Sequence, residues 1–127
     1  MKKLFLLLIF QSFVSFAQSK VNSFPVFPGC EEEEIADLPK CFQEKLKQHI
    51  RENYNYPVQA SREKLKGKAL VEYVIEADGA VTVTKVEGEY AILNDEAKRI
   101  IELLPKMQPA YHNSKPVRML LSIPISF

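Results

Sequence analysis

Residues 67–88 read GKALVEYVIEADGAVTVTKVEG and carry the clearest local signal in the chain, that of a β-hairpin. Ala69, Val71, Tyr73 and Ile75 alternate with Lys68, Leu70, Glu72, Val74 and Glu76, so one face of the first strand is apolar throughout and the other is mixed. That is the pattern of a half-buried strand. Asp78 and Gly79 tolerate positive φ, as a tight turn between right-twisted strands requires, and Val81, Thr82, Val83, Thr84 and Val86 return as β-formers. The apolar parity slips between Val83 and Val86, which either a β-bulge or two facing pockets would produce.

On the amino-terminal side, Phe42, Leu46 and Ile50 recur at four-residue spacing among polar residues and predict an amphipathic helix ending near Asn53. Asp37 is placed to cap it and Pro39 falls in its first turn. His49 lies beside the apolar stripe and reads as packing or surface. Pro57 disfavours helical geometry at Tyr56 and stops the helix, and residues 58–66 form a basic connector with a helical turn around Ala60. On the carboxy-terminal side, Leu93, Ala97, Ile100, Ile101 and Leu104 share one helical face, with Asp95 and Glu96 in the amino-terminal turn and Pro105 as the stop. Pro105, Pro109 and Pro116 punctuate a loop holding Tyr111, His112, Asn113 and Ser114. Val117, Met119, Leu121, Ile123, Ile125 and Phe127 then alternate as a third strand, and Pro124 places that strand at a sheet edge.

The order α, β, β, α, β with a right-handed crossover predicts an α+β fold: a three-stranded antiparallel sheet in the order second, first, third, with both helices on one face. At 127 residues, 46% hydrophobic and 26% charged, the chain suffices for one core and not two.

Lys2 and Lys3 precede an uncharged run over residues 4–16, and Ser15-Phe16-Ala17 offers the small residues of a cleavage site, so residues 1–17 read as an export signal removed after Ala17. The run falls short of the roughly 20 residues of a spanning helix. An extended lead-in over residues 18–29, with Pro25 and Pro28 bracketing Val26 and Phe27, then precedes a domain over 30–127. Cys30 and Cys41 enclose EEEEIADLPK, and in an oxidising compartment a disulfide between them is expected, with two free thiols as the alternative. Two cysteines and the distant His49 do not make a zinc site, and Glu31, Glu32, Glu33 and Glu34 lack calcium-loop geometry and read as a solvated turn. No metal or cofactor is expected. Loss of the leader leaves 15 of the 17 basic groups against 16 acidic ones, a balance that offers no footprint for nucleic acid or an anionic membrane surface.

With these elements placed, residues 56–127 resemble the carboxy-terminal domain of TonB, the energy transducer of the bacterial outer membrane. The resemblance is carried by Tyr56-Pro57 followed by Ala60, by Gly67 opening the alternating strand, and by Asp78-Gly79. It continues through the helix over residues 93–104, Pro105-Lys106-Met107-Gln108-Pro109, and Lys115-Pro116-Val117 ahead of the terminal strand. Phe27-Pro28-Gly29 is similar to the variety of this domain in which such a short sequence precedes the fold. Met107 stands where many relatives carry tryptophan, and Ala110 where glycine is common. The resemblance implies the fold just derived, a periplasmic location, association with TonB-dependent transport, and a role in gripping an extended peptide by adding it to the sheet edge. With neither a retained membrane helix nor a long proline-rich span, binding without force transmission is the expected role.

The expected partner is a protein, either an outer-membrane receptor peptide or a membrane transport complex. The binding edge is expected over Val117, Arg118, Met119, Leu120, Leu121, Ser122 and Ile123, with Leu70, Val74 and Leu120 as apolar points on the uncovered face. Pro124 implies that pairing fades before the carboxy terminus. The alternative is a homodimer, formed by the same edge pairing with itself across a two-fold axis, with a structural or regulatory role and none in transport. No enzyme is expected: Tyr111, His112 and Ser114 are the clustered polar candidates, and they sit in a loop without a nucleophile elbow, metal signature or phosphate-binding glycines.

Overall fold

The alternation in residues 67–88 folds as its period requires, into β1 (Lys68–Ile75) and β2 (Val81–Gly88), paired antiparallel. The computed structural model describes residues 24–127, so the leader expected over residues 1–17 and the first part of the lead-in lie outside the described residues. Ala69, Val71, Tyr73 and Ile75 are buried on one face of β1. The register passes from Glu72 opposite Lys85 to Tyr73 opposite Val83, which leaves Thr84 as the extra residue of a bulge. Its hydroxyl donates to the Glu72 carbonyl at 3.2 Å. The bulge restores parity, so Val81, Val83 and Val86 all pack against the core.

The turn differs from the expected two-residue type. Gly79 N–H donates to Glu76 O and Glu76 N–H to Ala80 O, each at 2.8 Å, which makes a three-residue loop. Only Gly79 takes positive φ, at +88°. Asp78 contributes its side chain instead, accepting from Ala80 N–H at 3.0 Å.

Helices α1 (Leu38–Asn53), α2 (Val58–Arg62) and α3 (Ala91–Glu102) surround this hairpin. After α3 come a small hairpin of β3 (Ala110–His112) and β4 (Lys115–Val117), and then β5 (Met119–Ser126). The main sheet has the order β2-β1-β5, as expected. Phe42 and Leu46 of α1 and Ala97 and Ile101 of α3 share one core with the buried face of β1 and with Ile123 and Ile125 of β5.

Three local expectations are corrected. Asp37 stands at the start of α1 without a side-chain cap, because it ends a 3-10 turn over Ile35–Asp37 and its near-helical φ and ψ of −97° and −7° replace the extended geometry that capping uses. Helix α3 begins at Ala91, after an extended Tyr90, so Asp95 and Glu96 fall beyond its first turn. The expected loop over residues 105–116 contains the β3–β4 hairpin, turned by Asn113 and Ser114 at φ 50° and 63°.

The lead-in packs into the core. Cys30 N–H donates to Phe27 O at 2.9 Å across a turn with Pro28 second and Gly29 third at φ +100°, which only glycine adopts readily. Val26 and Phe27 are buried, and Phe24 and Phe27 meet the Phe42 ring edge-on at 5.3 and 5.6 Å between centroids. Cys30 and Cys41 are bonded, with Cα atoms 6.0 Å apart. A bridge of this span restricts the unfolded chain by about 3 kcal/mol. Val26 and Gln108 exchange two backbone hydrogen bonds, at 2.9 and 3.2 Å, and the adjacent Met107 N–H donates to Gly79 O at 3.0 Å.

A β-carbon on Gly79 would lie 1.7 Å from the Met107 carbonyl oxygen, whereas one on Gly67 would meet the Tyr90 ring no closer than 3.8 Å. Gly79→Ala therefore costs at least about 2 kcal/mol of stability from backbone strain and displacement. Gly67→Ala stays within about 0.5 kcal/mol. Urea unfolding midpoints of the two variants check the difference.

Burial pushes the Tyr73 phenol well above its ordinary value of 10.0. The unfolded chain then gives up that proton first, so stability is fully present below about pH 10 and falls as pH rises above it. Tyr73→Phe flattens that alkaline loss, read as unfolding midpoint against pH for both proteins.

Candidate functional site

Whether a strand edge can accept another chain depends on which of its backbone groups are already used. The β1–β5 register runs from Lys68 opposite Ser126 to Ile75 opposite Met119, and Phe127 N–H donates to Gly67 O at 2.8 Å in the same register. That bond sets the phase. Met119, Leu121, Ile123 and Ile125 turn their N–H and C=O groups to β1, and Leu120, Ser122, Pro124 and Ser126 turn theirs outward. The far side of β1 agrees, since the bond from Glu76 N–H to Ala80 O assigns its even-numbered residues to β2.

Pro124 thus stands where its missing N–H costs the native ladder nothing. Leu120, Ser122 and Ser126 keep an outward donor and acceptor each, and Pro124 keeps its acceptor. Among the described residues no further strand pairs with β5. The other edge, β2, is blunted by the Thr84 bulge and by Lys85, which pairs with Glu87 at 2.6 Å.

Of the residues expected in the binding edge, Met119, Leu120, Leu121, Ser122 and Ile123 lie in β5. Val117 does not: it ends β4 and pairs with Ala110, because the chain leaves the sheet there to close the small hairpin. Arg118 lies between the strands, where its guanidinium forks onto Glu76, Nε to Oε2 at 3.2 Å and Nη2 to Oε1 at 3.3 Å. On the uncovered face Leu120 is 65% and Leu70 37% exposed, but Val74 only 5%. Central position explains Val74, which has Thr82 and Leu120 across its two ladders. Glu72, Val74, Thr84, Arg118 and Leu120 line a shallow open groove there.

The polar residues singled out by sequence have structural places. His49 Nε2 meets Ile100 O at 2.8 Å; a carbonyl can only accept, so Nε2 carries the proton and ties α1 to α3. Tyr111, His112 and Ser114 sit on the β3–β4 hairpin with no hydrogen bond between them. No three His, Cys, Asp or Glu side chains converge to hold a metal among the described residues. Glu96, which the sequence places only in the amino-terminal turn of its helix, has a role the sequence does not show: it is 8% exposed and accepts from Arg99 and from Asn55 N–H at 3.0 Å, while Arg99 donates to Asn53 O at 2.7 Å. The hydrogen bond that Arg99 donates to Glu96 raises the Arg99 pKa above its ordinary value. The Glu96–Arg99 spacing of three was the available signal, but its target at the end of α1 is set by packing.

A family model described as the Gram-negative bacterial TonB protein C-terminal matches residues 52–127. Two solution structures of the Helicobacter pylori TonB carboxy-terminal domain are similar to this chain. That of its residues 179–285 is 29% identical, over 68% of this chain and 80% of that one, with a TM-score of 0.46. That of its residues 194–285 is 31% identical, over 68% and 91%, with a TM-score of 0.44. No curated protein matches. The family match begins at Glu52, so α1 as far as Arg51 and the Cys30–Cys41 bridge lie ahead of it.

The phase of β5 separates two neighbouring proline substitutions. Leu121→Pro removes a ladder donor and costs about 3 kcal/mol or more, whereas Leu120→Pro removes an outward one and stays within about 1 kcal/mol. Urea unfolding of the two variants checks the assignment.

Proposed function

The chain belongs to the family of Gram-negative bacterial TonB protein C-terminal domains, and from that premise we propose that it binds an extended peptide of an outer-membrane receptor by adding it to the β5 edge. The family is a non-enzymatic, periplasmic one involved in TonB-dependent transport, and its members interact with proteins such as outer-membrane receptors. The observation that carries the proposal is the outward row on β5: Leu120, Ser122 and Ser126 with donors and acceptors, and Pro124 with its acceptor, on the edge that lacks bulge and charge. An incoming strand completes those backbone bonds whatever its side chains are, and Leu120 with the groove beside Val74 adds apolar contact. No helix among the described residues is long and apolar enough to cross a membrane. A cleaved leader would release the domain as a free periplasmic binder. Pairing of β5 with a second copy is the competing use of the same edge.

Amide hydrogen exchange tests the mechanism residue by residue. In the free protein the Leu120, Ser122 and Ser126 amides exchange fast, and those of Leu121, Ile123 and Ile125 slowly. Adding an extended peptide from an outer-membrane receptor slows Leu120 and Ser122, and slowing of Ser126 as well carries the pairing past Pro124, where it is expected to fade. Protection on residues 106–115 with β5 unchanged would make edge addition the wrong mechanism. Protection that grows with protein concentration, without peptide, identifies the dimer.

A further inference from the structure

Beside the carboxy-terminal half of β5 the sheet edge is walled by α1. Lys47, Ile50 and Arg51 line one side of an open groove, and Ile123, Pro124, Ile125 and Ser126 line the other. Ile50 is half-buried in it, and Lys47 and Arg51 are exposed at its rim, one helical turn apart on the same face of α1. Neither pairs with a carboxylate among the described residues, and no acidic side chain lines the groove. Of the acids of α1, Glu44 lines a different groove with Lys40 and Cys41, and Glu52 accepts from Gln48 at 2.9 Å.

We infer that this wall selects the peptide: the strand taken by β5 carries acidic side chains at alternate positions on the side facing α1, where Lys47 and Arg51 pair with them. The inference rests on the reading that β5 accepts a peptide, and it adds the chemistry of that peptide. Side chains of an added strand alternate between the two sheet faces, so every second one falls on the helix side, level with Ile123 and Ile125. Two acids separated by one residue share that side and meet two bases separated by one helical turn. Their carboxylates remain near solvent, so neither partner bears the penalty of a fully buried charge. The same stretch of β5 offers one outward donor fewer, at Pro124, so charge acts where backbone pairing is thinnest. Lys47, Ile50 and Arg51 all precede Glu52, ahead of the family match, so the selector belongs to this chain's own amino-terminal segment.

The test uses the full chain and three synthetic peptides built on one alternating Thr/Val sequence, with Glu, Gln or Lys at two alternate positions. Affinities are measured at low and high salt. The unaltered protein is expected to bind the Glu peptide roughly tenfold more tightly than the Gln peptide at low salt, and the Lys peptide least, with the preference collapsing at high salt. The double variant Lys47→Glu, Arg51→Glu should reverse that order and keep its affinity for the Gln peptide. Lys47→Gln, Arg51→Gln should abolish the preference, which guards against misfolding of the reversal variant. Leu120→Pro should weaken all three peptides alike. Equal affinity for the three, or a preference that survives both double variants, overturns the inference; the edge reading then stands as long as Leu120→Pro still weakens binding. Binding of every peptide undisturbed by Leu120→Pro, or of none by the unaltered protein, overturns the edge reading itself. A mass that doubles with concentration while peptides fail to compete would assign the groove to the acidic run of a second copy, against the inference.

Discussion

The carbonyl oxygen of Met107 occupies the place where any side chain on residue 79 would begin, and much of the architecture depends on that contact. Met107 N–H bonds to Gly79 O, and the next residue, Gln108, exchanges two backbone hydrogen bonds with Val26. Three segments far apart in sequence are thereby joined through backbone: the hairpin tip, the chain leaving α3, and the lead-in. Because the bonds are between main-chain groups, their specificity comes from shape, and the requirement is that residue 79 be glycine in the left-handed region. The Met107 side chain is itself buried with the core, so packing holds the carbonyl in place.

A sheet of three strands has two edges, and this one treats them differently. The bulge at Thr84 and the Lys85–Glu87 pair make β2 a poor template. On β5 the one irregular residue, Pro124, falls on the outward phase, so the edge stays intact as a partner of β1 and loses a single donor toward solvent. An edge that were closed by proline on the inward phase would have damaged its own fold. The distribution of defects therefore leaves one face of the molecule open to pairing without weakening the ladder that holds it.

Residues 24–51, ahead of the family match, add α1 beside α3 on the buried face of the sheet. The Cys30–Cys41 bridge, the Phe24 and Phe27 contacts to Phe42 and the Val26–Gln108 bonds hold α1 in place over the sheet. Glu96, Arg99 and His49 tie its far end to α3. A helix so anchored presents Lys47, Ile50 and Arg51 beside the open edge as a fixed wall.

The sequence alone determined the apolar face of β1, the parity slip in β2 that the register resolves as a bulge, the stripes of α1 and α3, the strand order and the edge position of β5. All of these are periodic or local: a face repeats every two residues and a stripe every three or four, so neighbours along the chain suffice to read them. Tertiary structure decided the rest. Which amides of β5 point outward follows from a bond between Gly67 and Phe127, sixty residues apart and invisible to any period. The three-residue turn at Gly79, the hairpin turned by Asn113 and Ser114 without a glycine, and the withdrawal of Val117 from the edge all answer to contacts made elsewhere. Glu96 reads as a helix-dipole partner until packing brings Asn55 N–H to it and the Asn53 carbonyl to its partner Arg99. Periodicity records which side of an element is apolar; it holds no information on which distant atom that side will meet, and register, phase and the wall beside the edge depend on that meeting.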